Sequence, residues 1–125
     1  KSGIAVSNIY LGSSADVTFD GHLIRFRPDT QKVFPLFSHY LFKTSLVRQQ
    51  LIARGKTATM TTIGQGDVAS VTLLWPEKKE QQRIADCLTS LDDLITAATQ
   101  ELETLKTHKK GLMQQLFPSA AELAA

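Results

Sequence analysis

The stretch PEKKEQQRIADCLTSLDDLITAATQELETLKTHKKGLMQQLF, from Pro76 to Phe117, decides how the chain is organised. Along it Ile84, Leu88, Leu91, Ile95, Ala98, Leu102, Leu105, Lys109, Leu112 and Leu116 are spaced alternately by four and three residues. That is a coiled-coil heptad with one charged member, Lys109. It predicts a helix from about Glu77 to Leu116, roughly 60 Å long at 1.5 Å per residue. A stripe of that length cannot be covered by the 75 residues that precede it, so the helix needs a second helix. The alternative is a helix folded back into a hairpin, with a turn near Thr96 or Thr99. Against it, no Gly, Pro or Asn interrupts residues 77–110. Lys109 either weakens the pair while selecting its register or snorkels outward from a frayed helix end.

Pro76 is a boundary. Before it the chain is rich in β-branched and aromatic residues with glycine punctuation, and after it only Gly111 and Pro118 interrupt a helix-forming composition. Ile4–Leu11 reads as a strand. Val17–Phe19 and Leu23–Arg27 flank Asp20-Gly21, a dipeptide that favours tight hairpin turns. Ile24 and Phe26 alternate with Arg25 and Arg27, the period-2 mark of a half-buried strand. Pro35 can open a helix that Gly55 ends, with Phe37, Tyr40, Leu41, Val47 and Leu51 on one face. Residues 58–63 are short, threonine-rich and irregular. Val68–Trp75 reads as a last strand, with Val71, Leu73 and Trp75 on one face and Trp75 plugging the point where the helix departs. The expected fold is therefore α+β: a small mixed domain over residues 1–75, one long coiled-coil helix over 76–117, and an Ala-rich tail over 118–125.

Composition narrows the function. The chain has 125 residues, 42% hydrophobic and 21% charged, enough for a real core and too apolar for wholesale disorder. No run of 18 apolar residues crosses a membrane, and no basic-then-apolar leader opens the chain, so a cytoplasmic location is expected. The lone Cys87 allows no intrachain disulfide and no multi-cysteine zinc site, and beside the seam it reads as a small packed residue. His22, His39 and His108 lie far apart in sequence, so neither metal nor cofactor is proposed. Gly64-Gln65-Gly66 is too short to cradle a phosphate and lacks a following Lys-Ser or Lys-Thr. Asp92-Asp93 reads as a solvated or partner-docking face. Residues 1–76 carry eight Lys and Arg against four acids, a net +4, and residues 77–125 carry six against eight, a net −2. The first part is thus the one suited to phosphates.

Pro76, Glu80-Gln81, Ile84-Ala85, Leu88, Leu91-Asp92 and Ile95, continuing through Leu105, Lys106, Leu112 and Leu116-Phe117, resemble the sequence that closes target-recognition domains in the specificity subunits of type I restriction-modification systems. Upstream, the Tyr40-Leu41 helix, Gly55-Lys56-Thr57, Ile63 and the approach to Leu74-Trp75-Pro76 resemble the end of such a domain, more loosely. Residues 1–35 match only in character. The resemblance implies two recognition domains per full subunit, each reading half of a split target, and two long antiparallel helices between them that dock the methyltransferase subunits. Here one helix and the later half of one recognition domain are present.

The resemblance implies double-stranded DNA as ligand, with methyltransferase subunits and, through them, restriction subunits as partners. The apolar stripe, too large to stay in water, predicts pairing of the helix with a second copy through Ile84, Leu88, Leu91, Ile95, Ala98, Leu102, Leu105, Leu112 and Leu116. DNA contact is expected first at Arg54, Lys56, Thr57, Thr59, Thr61 and Thr62, where cations and hydroxyls crowd into nine residues and can meet phosphate oxygens. The bland alternative is a solvated loop whose threonines bond neighbouring backbone. Arg25 and Arg27 come second. The chain is expected to be non-catalytic. Two other classes stay open: the recognition-domain end of an adenine-specific DNA methyltransferase, whose catalytic part would lie upstream, and a coiled-coil interaction protein.

Overall fold

The computed structural model describes residues 4–13, 17–57 and 61–117. The elements in chain order are α1 (Pro35–Lys43), α2 (Ser45–Arg54), β1 (Lys56–Thr57), β2 (Thr61–Thr62), α3 (Gln65–Ala69) and α4 (Lys78–Leu116). The chain divides into two compact units, Lys1–Asp86 and Cys87–Ala125. It is helix-rich, with a long C-terminal helix. The tail expected over residues 118–125 lies outside the described residues.

In the first unit the single helix expected between Pro35 and Gly55 is two helices. Pro35 does open α1, at the position where a missing N–H matters least. Thr44 then leaves helical geometry, with ψ at 148°. Its hydroxyl donates to the Leu41 carbonyl at 2.7 Å and accepts from the Val47 N–H at 3.4 Å. One threonine therefore closes α1 and caps α2, which a continuous hydrophobic pattern hides. Phe37 on α1 and Val47 and Leu51 on α2 are buried, whereas Tyr40 and Leu41 are half-buried. Val33 and Ala85 complete the buried apolar set among the described residues.

The four strands expected from alternation are not formed. Residues 4–11, 17–19, 23–27 and 68–75 carry no ladder, and β1 and β2 form an antiparallel pair two residues long, with Lys56 opposite Thr62 and Thr57 opposite Thr61. The described fold is therefore helix-rich, and a two-residue ladder does not make the expected α+β domain. Alternation is a local signal, but a strand exists only when a second strand takes its N–H and C=O groups. Glutamine side chains do this work in two places. The Gln50 amide donates to the Thr72 carbonyl and accepts from the Thr72 N–H, both at 3.1 Å. The Gln81 amide makes the same kind of pairing around Val33. Val71 and Leu73 are half-buried while Thr72 and Leu74 are exposed, so the alternation survives in extended chain without a strand. Trp75 is 44% exposed, so it is not the buried plug expected where the helix departs.

Helix α4 runs unbroken for 39 residues, which excludes the fold-back alternative. The threonines that might have made a turn bond their own helix instead: Thr96 to the Asp92 carbonyl at 2.8 Å and Thr99 to the Ile95 carbonyl at 2.7 Å. Its first turns belong to the first unit and bury Gln81 and Ala85. Cys87 is exposed rather than packed, since it follows the last buried turn.

Candidate nucleic-acid interface

Arg54 ends α2, and its guanidinium is already engaged. It donates to the Gln50 carbonyl at 2.9 Å and to the Ser70 carbonyl at 3.2 Å, tying α2 to the chain that follows α3. An arginine carries five N–H donors in a fixed fork, so these two bonds leave donors for a phosphate. Lys56, Thr57, Thr61 and Thr62 belong to the β1–β2 ladder, and the Thr62 side chain is exposed. Thr59 lies outside the described residues, and for Lys56, Thr57 and Thr61 only the backbone is described. In the threonine-rich segment expected to be irregular, the described residues Lys56–Thr57 and Thr61–Thr62 pair as antiparallel strands. At the cap of α3 the Gly64 N–H donates to the Asp67 carboxylate at 2.8 Å.

Arg25 and Arg27 are exposed on extended chain, not on a strand. The Arg25 guanidinium lies over the Phe19 ring, 5.3 Å from its centroid. Phe26 meets Phe42 of α1 with ring centroids 5.3 Å apart, so this segment is held against α1 by an aromatic contact while its cations face solvent. The Asp20-Gly21 turn closes as its sequence predicts. The Leu23 N–H reaches the Asp20 carbonyl at 3.0 Å. The Asp20 carboxylate accepts from the His22 N–H at 2.8 Å and lies 2.6 Å from the His22 ring. Those two bonds, the backbone one first, hold the Asp20 carboxyl below its usual range. Arg25, Arg27 and Arg54 all belong to the first unit.

On α4, Ile84 and Leu88 are half-buried, and beyond them the seam is open. Leu91 is 50% exposed, Ile95 63% and Leu116 69%. Ala98, Leu102, Leu105, Lys109 and Leu112 are exposed too. The residue that sequence reasoning missed is Gln81. It stands seven residues before Leu88, on the seam itself, and a polar residue in a seam position was the available signal.

Among the described residues no three His, Cys, Asp or Glu side chains gather as metal ligands, and no helix is long and apolar enough to cross a membrane.

No solved structure matches the chain significantly. A type I restriction enzyme specificity subunit designated MjaX, from Methanocaldococcus jannaschii, is 29% identical over 112 residues, which is 87% of this chain and 26% of that protein. The type I restriction enzyme HindI specificity subunit of Haemophilus influenzae is 32% identical over 92 residues, 72% of this chain and 20% of that protein. The chain thus spans about a quarter or less of the length of these relatives. The sequence profile of the type I restriction modification DNA specificity domain matches residues 5–107, and with most of its length inside that match the chain belongs to this family.

Proposed function

We propose that the chain supplies the DNA-reading and spacing part of a type I restriction-modification specificity subunit, without catalysis of its own. Residues 1–75 are read as the later portion of an α+β recognition domain that meets duplex DNA through Arg54–Thr62, with Arg25 and Arg27 as a second contact. Helix α4 is read as the spacer that pairs with a second such helix. It docks methyltransferase subunits and, through them, restriction subunits, at a split target in the cytoplasm.

The observation that carries this reading is the 39-residue helix, whose seam is open from Leu91 onward, on a chain that matches the DNA specificity family. A helix with an apolar stripe in water needs a partner helix. A rigid pair fixes the distance between two readers, and half-site spacing on DNA follows geometrically. The test is salt-dependent binding of the full chain to duplex DNA. Arg54→Ala with Lys56→Ala should remove about two phosphate contacts and lower the log–log salt slope by roughly 1.8. An unchanged slope moves the contact to Arg25 and Arg27. A chain that binds no duplex at any salt concentration is an interaction module instead.

A further inference from the structure

We infer that Gln81 is a positioning residue, one that sets the rotation of α4 about its own axis at the helix root. Its side chain is 1% exposed. Nε2 donates to the Lys32 carbonyl at 3.2 Å and to the Pro76 carbonyl at 2.9 Å, and Oε1 accepts from the Phe34 N–H at 2.9 Å. A glutamine amide has two N–H donors and one acceptor oxygen, and all are used. The pattern also fixes which end of the amide is oxygen, because both carbonyls need a donor and the N–H needs an acceptor.

Those three bonds join points far apart in sequence. Lys32 and Phe34 bracket the buried Val33, so the amide pairs with that segment as a strand would. Phe34 is the N-cap residue of α1 and makes no side-chain cap of its own. The root of α4, the start of α1 and Pro76 therefore meet on one side chain. Ala85, one turn further along and fully buried, fixes the same face.

The rotation is specified against its nearest rival. Gln82 offers an identical amide 100° further round the helix, but it is exposed. A slip of one residue would place Asp86 where Ala85 is buried, and burying an unpaired carboxylate opposes that slip. Gln81 and Ala85 fix that azimuth for the turns of α4 that lie within the first unit. The inference rests on the spacer reading of α4 for its DNA consequence alone.

The experiment uses the full chain in a Cys87→Ser background. Spin labels at Gln49→Cys and Lys79→Cys, both exposed positions in the first unit, should give one narrow distance. Gln81→Met should broaden it and speed exchange of the Phe34 amide hydrogen about tenfold or more. Gln81→Glu separates positioning from packing. Burial and two facing carbonyl oxygens raise the pKa of that carboxyl, and its protonated form can accept from Phe34 and donate to one carbonyl. The charged groups around it, Asp29 and Lys32 on the turn and Glu77, Lys78, Glu80 and Arg83 around the helix start, are exposed. The Glu variant should therefore keep the narrow distance and the Phe34 protection in acid, and lose both as pH rises.

Duplexes selected from random sequence for tight binding, then lengthened by one base pair between their two recognised halves, give the DNA readout. The wild type should lose about tenfold in affinity and the Met variant less than about threefold. Unchanged distance and exchange in the Met variant overturn the inference. So does a Glu variant that behaves like the Met variant at every pH. If the Met variant does not fold, the Glu series in acid decides. A chain that selects no duplex sinks the DNA reading and leaves Gln81 to be judged on distance and exchange.

Discussion

Replacing Leu91 and Ile95 together by Asp should abolish self-pairing while leaving the first unit folded. In the single chain these side chains are 50% and 63% exposed. Complete burial of such a side chain is worth about 1.5–3 kcal/mol, so about half of that, roughly 1–1.5 kcal/mol each, remains to be gained in a pair. Two positions on two helices make four side chains, a loss of about 4–6 kcal/mol, or a factor of roughly 10³–10⁴ in dissociation constant. Sedimentation over a concentration series reads the loss. Circular dichroism and Phe34 amide exchange show that α4 and its root persist. The orientation can be read at the same time. Beyond Arg83, Asp86, Asp92, Asp93, Glu101 and Glu103 precede Lys106, Lys109 and Lys110, so this part of the helix is acidic first and basic last. An antiparallel pair sets unlike blocks side by side, whereas a parallel in-register pair stacks Lys109 on Lys109. With Leu88 opposite Leu112 and Ile95 opposite Leu105 of the second copy, Asp92 comes beside Lys106. A short bis-maleimide should then link Thr99→Cys to itself, and Leu91→Cys should not self-link, in the Cys87→Ser background. A wild-type chain that sediments as a monomer at tens of micromolar with an unbroken helix would refute the pairing. Self-linking at Leu91→Cys would refute the orientation.

The purified chain with S-adenosylmethionine and duplex DNA should transfer no methyl groups, and label incorporated without added subunits would overturn its non-catalytic reading. Arg25→Ala with Arg27→Ala should lower the salt slope of DNA binding by at most roughly 1.8, which titration at several salt concentrations measures. Thr44→Ala removes the cap of α2 and should lower stability by about 1 kcal/mol in urea unfolding; no change would mean that the α1–α2 break is held by packing alone. Because the Asp20 carboxyl is held below its usual range, its contribution to the Asp20–Leu23 turn is complete above the ordinary Asp value and fades as pH falls through the lowered one. The His22 amide resonance should follow that acid transition and lose it in Asp20→Ala.

The parts of the fold legible in sequence are those set by local chemistry. The four-three spacing from Ile84 to Leu116 needs nothing outside the helix to be read, and neither do Pro35 at a helix start or the Asp20-Gly21 turn. The strands were not legible, since Leu23–Arg27 and Val68–Trp75 have the alternation of strands without a partner strand to make them so. The break at Thr44 was hidden because Phe37, Val47 and Leu51 carry one hydrophobic pattern across it. Gln50, Arg54 and Gln81 look like surface residues in a list of amino acids. Their work, bonding backbone 16 to 49 residues away, appears only when the chain is folded. Within the candidate DNA contact, Arg54 was found as a cation, but its grip on the Ser70 carbonyl was not.

Gln81 also bears on how far helix pairing can extend. The seam runs from Gln81 through Ile84 and Leu88 to Leu116, five heptads in all. Its first position is spent within the first unit, with both amide N–H groups donating and the oxygen accepting. A partner helix reaching past Ile84 would meet a side chain that is already buried. The seam is half-buried at Ile84 and Leu88 and exposed from Leu91 to Leu116. The antiparallel register that sets Leu88 opposite Leu112 places Lys109 opposite Leu91 rather than another lysine. A straight helix lets a seven-residue stripe drift by about 20° per heptad, so the seam turns through roughly 90° between Ile84 and Leu116. A partner can follow it only by wrapping left-handed. Under the spacer reading, loosening the root at Gln81 is expected to be read out in base pairs of spacing.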